Sequence, residues 1–412
     1  MNYQTHTCQN GLRLILLPSS SPVIYCGIAV HAGTRHEQPG EEGLAHFCEH
    51  LIFKGTCRRT AVQIINALEG VGGELNAFTN KEDTVYYAAT TRQYLRQAVD
   101  VLCDIVFCSE FPEQEVEKER EVVCDEIESY EDTPAELIYD EFENLLFSGH
   151  ALGHNILGSS EQVRRYTGDD ARRFTQRYYR PCNCIFFASG DVELKSVVKM
   201  LEKIESKSCD SDNLIINSND SMDSNDGNED NKTIIRERGT HQAHVMMGAR
   251  AYAATDDRRW PLFLLNNILG GPAMNSRLSL SLRERNGLVY SVESSMVSYS
   301  DTGLWAVYFG CDPHDVKRCC MLVRRELERL CAKPLTSVQL RKAKQQLHGQ
   351  LAIAADNREQ FTLDFAKNFL HHGTERDIND ILSHVDAISA SELQQVAQTI
   401  FASDRMLTLI YR

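Results

Sequence analysis

The chain has 412 residues, with 43 Lys and Arg against 58 Asp and Glu, and its net charge of −15 argues against a nucleic-acid partner. Its 42% apolar and 25% charged content is ordinary for a soluble globular protein, and its length suggests two domains of roughly 200 residues, each with its own core. No apolar run approaches the ~18 residues that span a bilayer, and Met1–His6 carries neither a signal-peptide nor a transit-peptide pattern, so a cytoplasmic protein without a membrane span is expected.

In chain order, the run Val23-Ile24-Tyr25-Cys26-Gly27-Ile28-Ala29-Val30 reads as a strand. A polar stretch then leads to Gly43-Leu44-Ala45-His46-Phe47-Cys48-Glu49-His50-Leu51-Ile52-Phe53, where Leu44, Phe47 and Leu51 make the apolar stripe of a helix and Gly55 marks its stop. Cys48 lies about 200° around that helix from His46 and belongs to the core side. Gly72-Gly73 followed by alternating Leu75, Ala77 and Thr79 suggests a strand entered through a bulge, and Thr84–Thr90 a second strand. Leu95–Phe107 reads as an amphipathic helix, and a long Glu-rich helix follows Pro112, with Val116, Val122, Val123 and Ile127 apolar.

The Ser/Asn/Asp-rich segment 206–232 carries seven acidic residues against two lysines and reads as a flexible acidic loop or linker. The chain on its two sides resembles a diverged repeat, with a domain at 1–205 and another at 233–412. In the second, the strand His244–Ala249 leads through a polar stretch to a helix at Trp260–Ile268 and Gly270. Matching the terminal glycines sets Leu and Asn against the histidine helix, so the second half keeps the scaffold without the metal-ligating side chains. Strand Gly303–Gly310 and helices Val316–Cys331 and Ser391–Phe401 complete an α+β pattern of largely antiparallel sheets with helices on one face. The 14 cysteines are scattered without a C-x-x-C pair and are expected to be reduced structural thiols.

His46, Glu49 and His50 stand at i, i+3 and i+4, so on a helix all three share one face. Two imidazoles one turn apart can grip one metal ion, of which Zn²⁺ is the usual occupant, and the carboxylate beside them can take a proton from water. As a bare five-residue match, a chance cluster on a polar face is an equally good reading. The packed helix around it favours the metal site. A catalytic zinc normally has three protein ligands and one open position. Glu119 and Glu126 lie two turns apart on one face of the Glu-rich helix. Alone, such a helix is more often a solvated surface. Other histidine sets (His150 and His154, His241 and His244, His371 and His372) have spacings or settings that suit a metal poorly.

The order of these motifs resembles the pitrilysin/insulinase metallopeptidases, the inverzincins that include the mitochondrial processing peptidases. H-x-x-E-H is followed 76 positions after His50 by Glu126, within Glu119-Arg120-Glu121-Val122-Val123-Cys124-Asp125-Glu126-Ile127. The likeness continues through Gly72–Thr79, Thr84–Tyr87, His150–Gly158, Tyr179-Arg180-Pro181, Ile268–Gly271, Ser276–Leu278 and Leu282–Ser291, so it spans essentially the whole chain. It implies two α/β sandwich domains related by approximate symmetry, and one Zn²⁺ per chain on His46, His50 and Glu126. Glu49 is then the general base acting on a zinc-bound water, and Glu119 the carboxylate that orients a histidine.

The resemblance assigns the strand Asn76-Ala77-Phe78 to binding substrate backbone by strand addition, and Arg283 and Tyr290 to gripping the substrate or stabilising the tetrahedral intermediate. The expected function is a zinc metalloendopeptidase acting on unfolded peptides or presequence-like segments. The competing reading is a non-catalytic or assembly subunit of the same fold. Relatives of about twice this length carry four such domains, so a dimer is implied, either of two identical chains or of this chain with a related one. Arg283 and Tyr290 would then serve the zinc site of the opposite chain.

Overall fold

The computed structural model describes residues 3–203, 232–373 and 378–412. Strands β1 (Gln4–Thr7), β2 (Arg13–Pro18) and β3 (Val23–Val30) precede helices α1 (Leu44–Ile52) and α2 (Ala61–Glu69). The hairpin β4 (Glu74–Thr79) and β5 (Thr84–Thr91) is followed by α3 (Leu95–Cys108), α4 (Glu113–Glu131), α5 (Pro134–Leu146), α6 (Ser160–Val163) and α7 (Gly168–Tyr178), then by β6 (Cys184–Gly190) and α8 (Leu194–Leu201). After β7 (Thr233–Arg236) and β8 (Ala243–Ala251) come α9 (Arg259–Gly270), β9 (Val289–Ser298), β10 (Gly303–Cys311), α10 (Val316–Ala332) and α11 (Ser337–Ala354). Helices α12 (Arg358–His372), α13 (Ile378–Ala387) and α14 (Ala390–Ile400) and strand β11 (Leu407–Tyr411) complete the order.

These elements form two units that interleave along the chain. The first gathers described residues 3–129, 149–203 and 356–373, and the second gathers 130–148, 232–355 and 378–412. The continuous halves suggested by the repeat are therefore crossed by two helices. Helix α12 comes late in sequence but places Leu363, Phe365, Ala366 and Phe369 against Ile15, Leu17, Ala29, Val85 and Phe187 of the first sheet. Helix α5 comes early but belongs to the second unit, where Tyr139 donates to Glu293 at 2.5 Å and Glu141 pairs with Arg236 at 2.8 Å. Burial of an apolar helix face outweighs continuity of the chain. All of the expected acidic segment except Lys232 lies outside the described residues.

The first sheet has the order β1-β2-β6-β3-β5-β4 and the second β7-β11-β8-β10-β9. Both are antiparallel apart from the β2–β6 and β7–β11 pairs. Alternation builds each layer. Ile24, Cys26, Ile28 and Val30 of β3 face the main helical core, while Ala29 faces the layer with α12. β4 lies at one edge of its sheet, and β9 at the corresponding edge of the other. β4 runs in unbroken register from Glu74↔Ala89 to Thr79↔Thr84, so the expected bulge is absent. The glycine pair serves the turn out of α2 instead, with Gly72 in the left-handed region at φ 77°.

Among the described cysteines the thiols are free except Cys182, which is disulfide-bonded, contrary to the reduced state expected throughout. No helix among the described residues is long and apolar enough to cross a membrane.

Candidate metal centre

Helix α1 has Gly43 as its N-cap at φ 92°, a conformation open to glycine at little cost, and it buries Leu44, Phe47, Cys48 and Leu51. That packing turns His46, Glu49 and His50 towards α4. On α4, Val116, Val123 and Ile127 are buried and fix the rotation of the helix. Val122, the other apolar residue read on this helix, is 47% exposed, because it lies one residue, or about 100°, from the buried Val123.

The two imidazoles converge on Glu126. His46 Nε2 is 3.8 Å from its Oε1, and His50 Nε2 is 3.3 Å from its Oε2. One ligand atom from each residue lies within 4.8 Å of the others. A tetrahedral ion with bonds of ~2.0–2.1 Å separates neighbouring ligand atoms by about 3.3 Å, so the set fits Zn²⁺ after small adjustments. The donor chemistry, two nitrogens and a carboxylate oxygen, also suits zinc. His50 is oriented from behind, where its Nδ1 meets Glu119 Oε2 at 3.2 Å. Glu119 is itself buried and accepts an ion pair from Lys54 at 2.7 Å.

The electrostatics match these contacts. Burial, with the His50 ring beside it, pulls His46 down to about 4 against the pull of Glu126. Burial alone would lower His50 as well, but its hydrogen bonds to Glu119 and Glu126 prevail and raise it to about 9. A cation bound there replaces that proton. The hydrogen bond from His50 holds Glu126 below the usual carboxylate range. Burial pushes Glu119 up, and the contacts with His50 and Lys54 outweigh it and bring it down.

Glu49 sits beside His50 and Glu126. Burial pushes its carboxyl up, against a hydrogen bond from Thr79 Oγ1 to Oε2 at 2.6 Å. Thr79 escaped the sequence reading, although it is the third member of the alternating set Leu75, Ala77, Thr79 and so shares their face. Leu75 and Ala77 pack on the main core, whereas Phe78 joins the layer with α12, where its ring meets Tyr87 at 6.2 Å. Asn76 is exposed. Beside the metal centre the strand thus offers its unpaired edge and Thr79, not the Phe78 ring.

Arg283 and Tyr290 belong to the second unit. Arg283 lies in the helical turn Ser279–Glu284, which is widened to a five-residue backbone bond from Arg285 N–H to Leu280 O at 3.1 Å. Its Nε donates to Glu284 at 2.8 Å. It lines a cavity of about 490 Å³ with Asn266, Gly271, Glu293 and Gln350. Tyr290 is 90% exposed at the start of β9.

Residues 14–160 match the family model described as insulinase (peptidase family M16), and residues 165–347 match the peptidase M16 inactive domain. The chain is 32% identical to the uncharacterized zinc protease YmxG of Bacillus subtilis (strain 168), over 98% of this chain and 97% of that one. It is 35% identical to an uncharacterized zinc protease of Streptomyces coelicolor, over 98% of this chain and 88% of the other. Among solved structures, a protease from Helicobacter pylori superposes with a TM-score of 0.89 at 22% identity, covering 100% of this chain and 99% of that chain. A peptidase M16 inactive domain from Pseudomonas fluorescens superposes with a TM-score of 0.86 at 16% identity, covering 100% and 98%. With both domain models matched in order along its length, the chain belongs to the insulinase family of M16 peptidases.

Proposed function

We propose that the protein is a zinc-dependent endopeptidase that hydrolyses unfolded peptides. The observation that carries this reading is the convergence of His46 and His50 Nε2 on Glu126, with the buried Glu49 alongside. His46, His50 and Glu126 would hold one Zn²⁺, which when bound supplies Lewis acidity to water and to the scissile carbonyl. Glu49 takes a proton from the attacking water and returns it to the leaving amine. Glu119 fixes the tautomer and orientation of His50. Substrate backbone adds to the open edge of β4 at Asn76–Phe78, which requires an extended, unfolded chain.

Arg283 and Tyr290 are assigned to the developing oxyanion, since both can donate hydrogen bonds to it. In this reading they act from a second copy of the chain, in a closed dimer. The test is cleavage of an unstructured peptide before and after chelation. Loss of cleavage on chelation and its return with one equivalent of zinc support the reading. Cleavage that survives complete metal removal overturns it.

A further inference from the structure

Helix α1 begins without a side-chain cap of its own. Its first amides are instead capped from a distance by Glu37, whose Oε2 accepts the N–H of Gly43 at 3.0 Å and whose Oε1 accepts that of Ala45 at 2.7 Å. The Glu37 side chain is 1% exposed, and its Oε2 also meets His154 Nε2 at 2.9 Å. Ala45 immediately precedes His46, so this carboxylate holds the turn that aims the first zinc ligand.

The loop carrying His154 is pressed against the same helix start. A Cβ at Gly43 would lie 2.6 Å from Leu157 O and 2.7 Å from Gly158 Cα. Lys81, 2% exposed, reaches this loop from the β4–β5 turn and donates Nζ to the carbonyls of Leu152, at 3.1 Å, and His154. The same turn binds the segment that leads to Glu37, through Thr34 N–H to Asn80 O at 3.2 Å and Arg35 N–H to Lys81 O at 2.8 Å. The metal helix and the end of the substrate strand thus hang on one buried polar cluster of Glu37, His154 and Lys81.

We propose that Glu37 is a positioning residue which, with His154 and Lys81, sets the metal helix against the substrate strand. The inference deepens the peptidase reading and rests on it for its catalytic consequence. Burial pushes the Glu37 carboxyl up to about 7, despite its contacts with His154 and the two amides. A raised carboxyl favours folding fully below its unfolded value, near 4.5, and loses that contribution as pH rises through 7. Both carboxylate oxygens accept backbone N–H groups, so an amide in its place turns an NH2 donor towards the N–H of Gly43 or Ala45 and uncaps the helix start.

The experiment compares wild type, Glu37→Gln and Lys81→Met at pH 8 by hydrogen exchange of residues 43–50 and of the rest of the first unit in the metal-free protein, zinc affinity and peptide turnover. For Glu37→Gln the expected results are exchange at the helix start faster by about tenfold or more, exchange elsewhere in the first unit near wild type, and zinc affinity lower by roughly 10–100-fold, the range for groups that orient ligands. kcat falls while KM stays near wild type. Lys81→Met reproduces the faster exchange at the helix start. The proposal is overturned if exchange and zinc affinity stay within twofold of wild type, or if exchange rises as much across the whole first unit as at the helix start. A wild type that binds zinc but cleaves nothing would defeat the peptidase reading, while exchange and affinity would still decide the role of Glu37.

Discussion

Thr79 donates a 2.6 Å hydrogen bond to Glu49, so the edge strand proposed to take the peptide also holds the carboxylate proposed as general base. A substrate that straightens or shifts β4 acts directly on the base. Thr79→Val keeps the shape and removes the donor, leaving a buried carboxylate oxygen without its partner. Hydrogen bonds to charged groups contribute about 1.5–3 kcal/mol, so turnover should fall by roughly 10–100-fold with zinc content unchanged. Thr79→Ser should stay close to wild type. Steady-state kinetics and metal analysis of the two variants check this, and equal activity in the valine and serine forms would remove Thr79 from the mechanism.

The two carboxylates of α4 should separate by metal binding. Glu126→Gln replaces the anionic ligand that both imidazoles face and should strip or greatly weaken zinc. Glu119→Gln leaves the ligand set whole but loosens His50 and strands Lys54, so affinity or activity should fall by roughly 10–100-fold. Equilibrium zinc titration distinguishes them. If only the Glu119 variant loses the metal, the two roles have been assigned the wrong way round.

Much of this centre was legible in the sequence because a helix repeats on a fixed angle. The spacings of His46, Glu49 and His50, and of Glu119 and Glu126, survive as faces once each helix is packed. The contacts that complete it were not legible, because they join positions far apart in the chain. Thr79 meets Glu49 across 30 residues, and His154 meets Glu37 across 117. Local periodicity carries no trace of such pairings. The crossing of helices α5 and α12 between the two halves was not legible for the same reason. Each has an ordinary apolar face, and nothing in its own sequence says which sheet it covers.

Stability should fall on acidification through two histidines of the first unit. Burial, helped by His371, pulls His31 down to about 4, and burial, helped by His31 and Arg35, pulls His36 down to about 3. The unfolded imidazoles bind protons near 6.5. Between those limits the unfolded chain carries more protons, so stability rises with pH there. Their contribution is complete above about 6.5 and is lost as pH falls towards 4. Urea unfolding of wild type and a His31→Asn/His36→Gln double variant between pH 7 and 5 measures it. The variant should show a slope shallower by up to one proton per histidine. Comparing the two proteins cancels other groups, including Glu37, whose contribution has the opposite sign. Parallel slopes would show that these rings titrate normally in the fold.

If Arg283 and Tyr290 act across a dimer, complementation between inactive chains should follow. Arg283→Ala should keep zinc and lose about 10²–10³ in turnover, as for loss of an oxyanion donor. Mixing it with Glu49→Gln chains and allowing exchange makes about half the dimers mixed. Each mixed dimer has one site with both defects and one with neither, so activity should return to about a quarter of wild type. Verified exchange without recovery would place Arg283 within its own chain's chemistry or outside the reaction.

The most direct test is metal content and peptide cleavage measured on the same preparations of wild type and Glu49→Gln. Glu49 is not assigned as a ligand, so both proteins should hold one zinc per chain. Only wild type should cleave an unstructured peptide efficiently, with turnover in the variant lower by at least ~10²–10⁴, as for loss of a general base. Near-normal cleavage by a zinc-replete Glu49→Gln protein, or a wild type that takes up no zinc, would contradict the proposed chemistry.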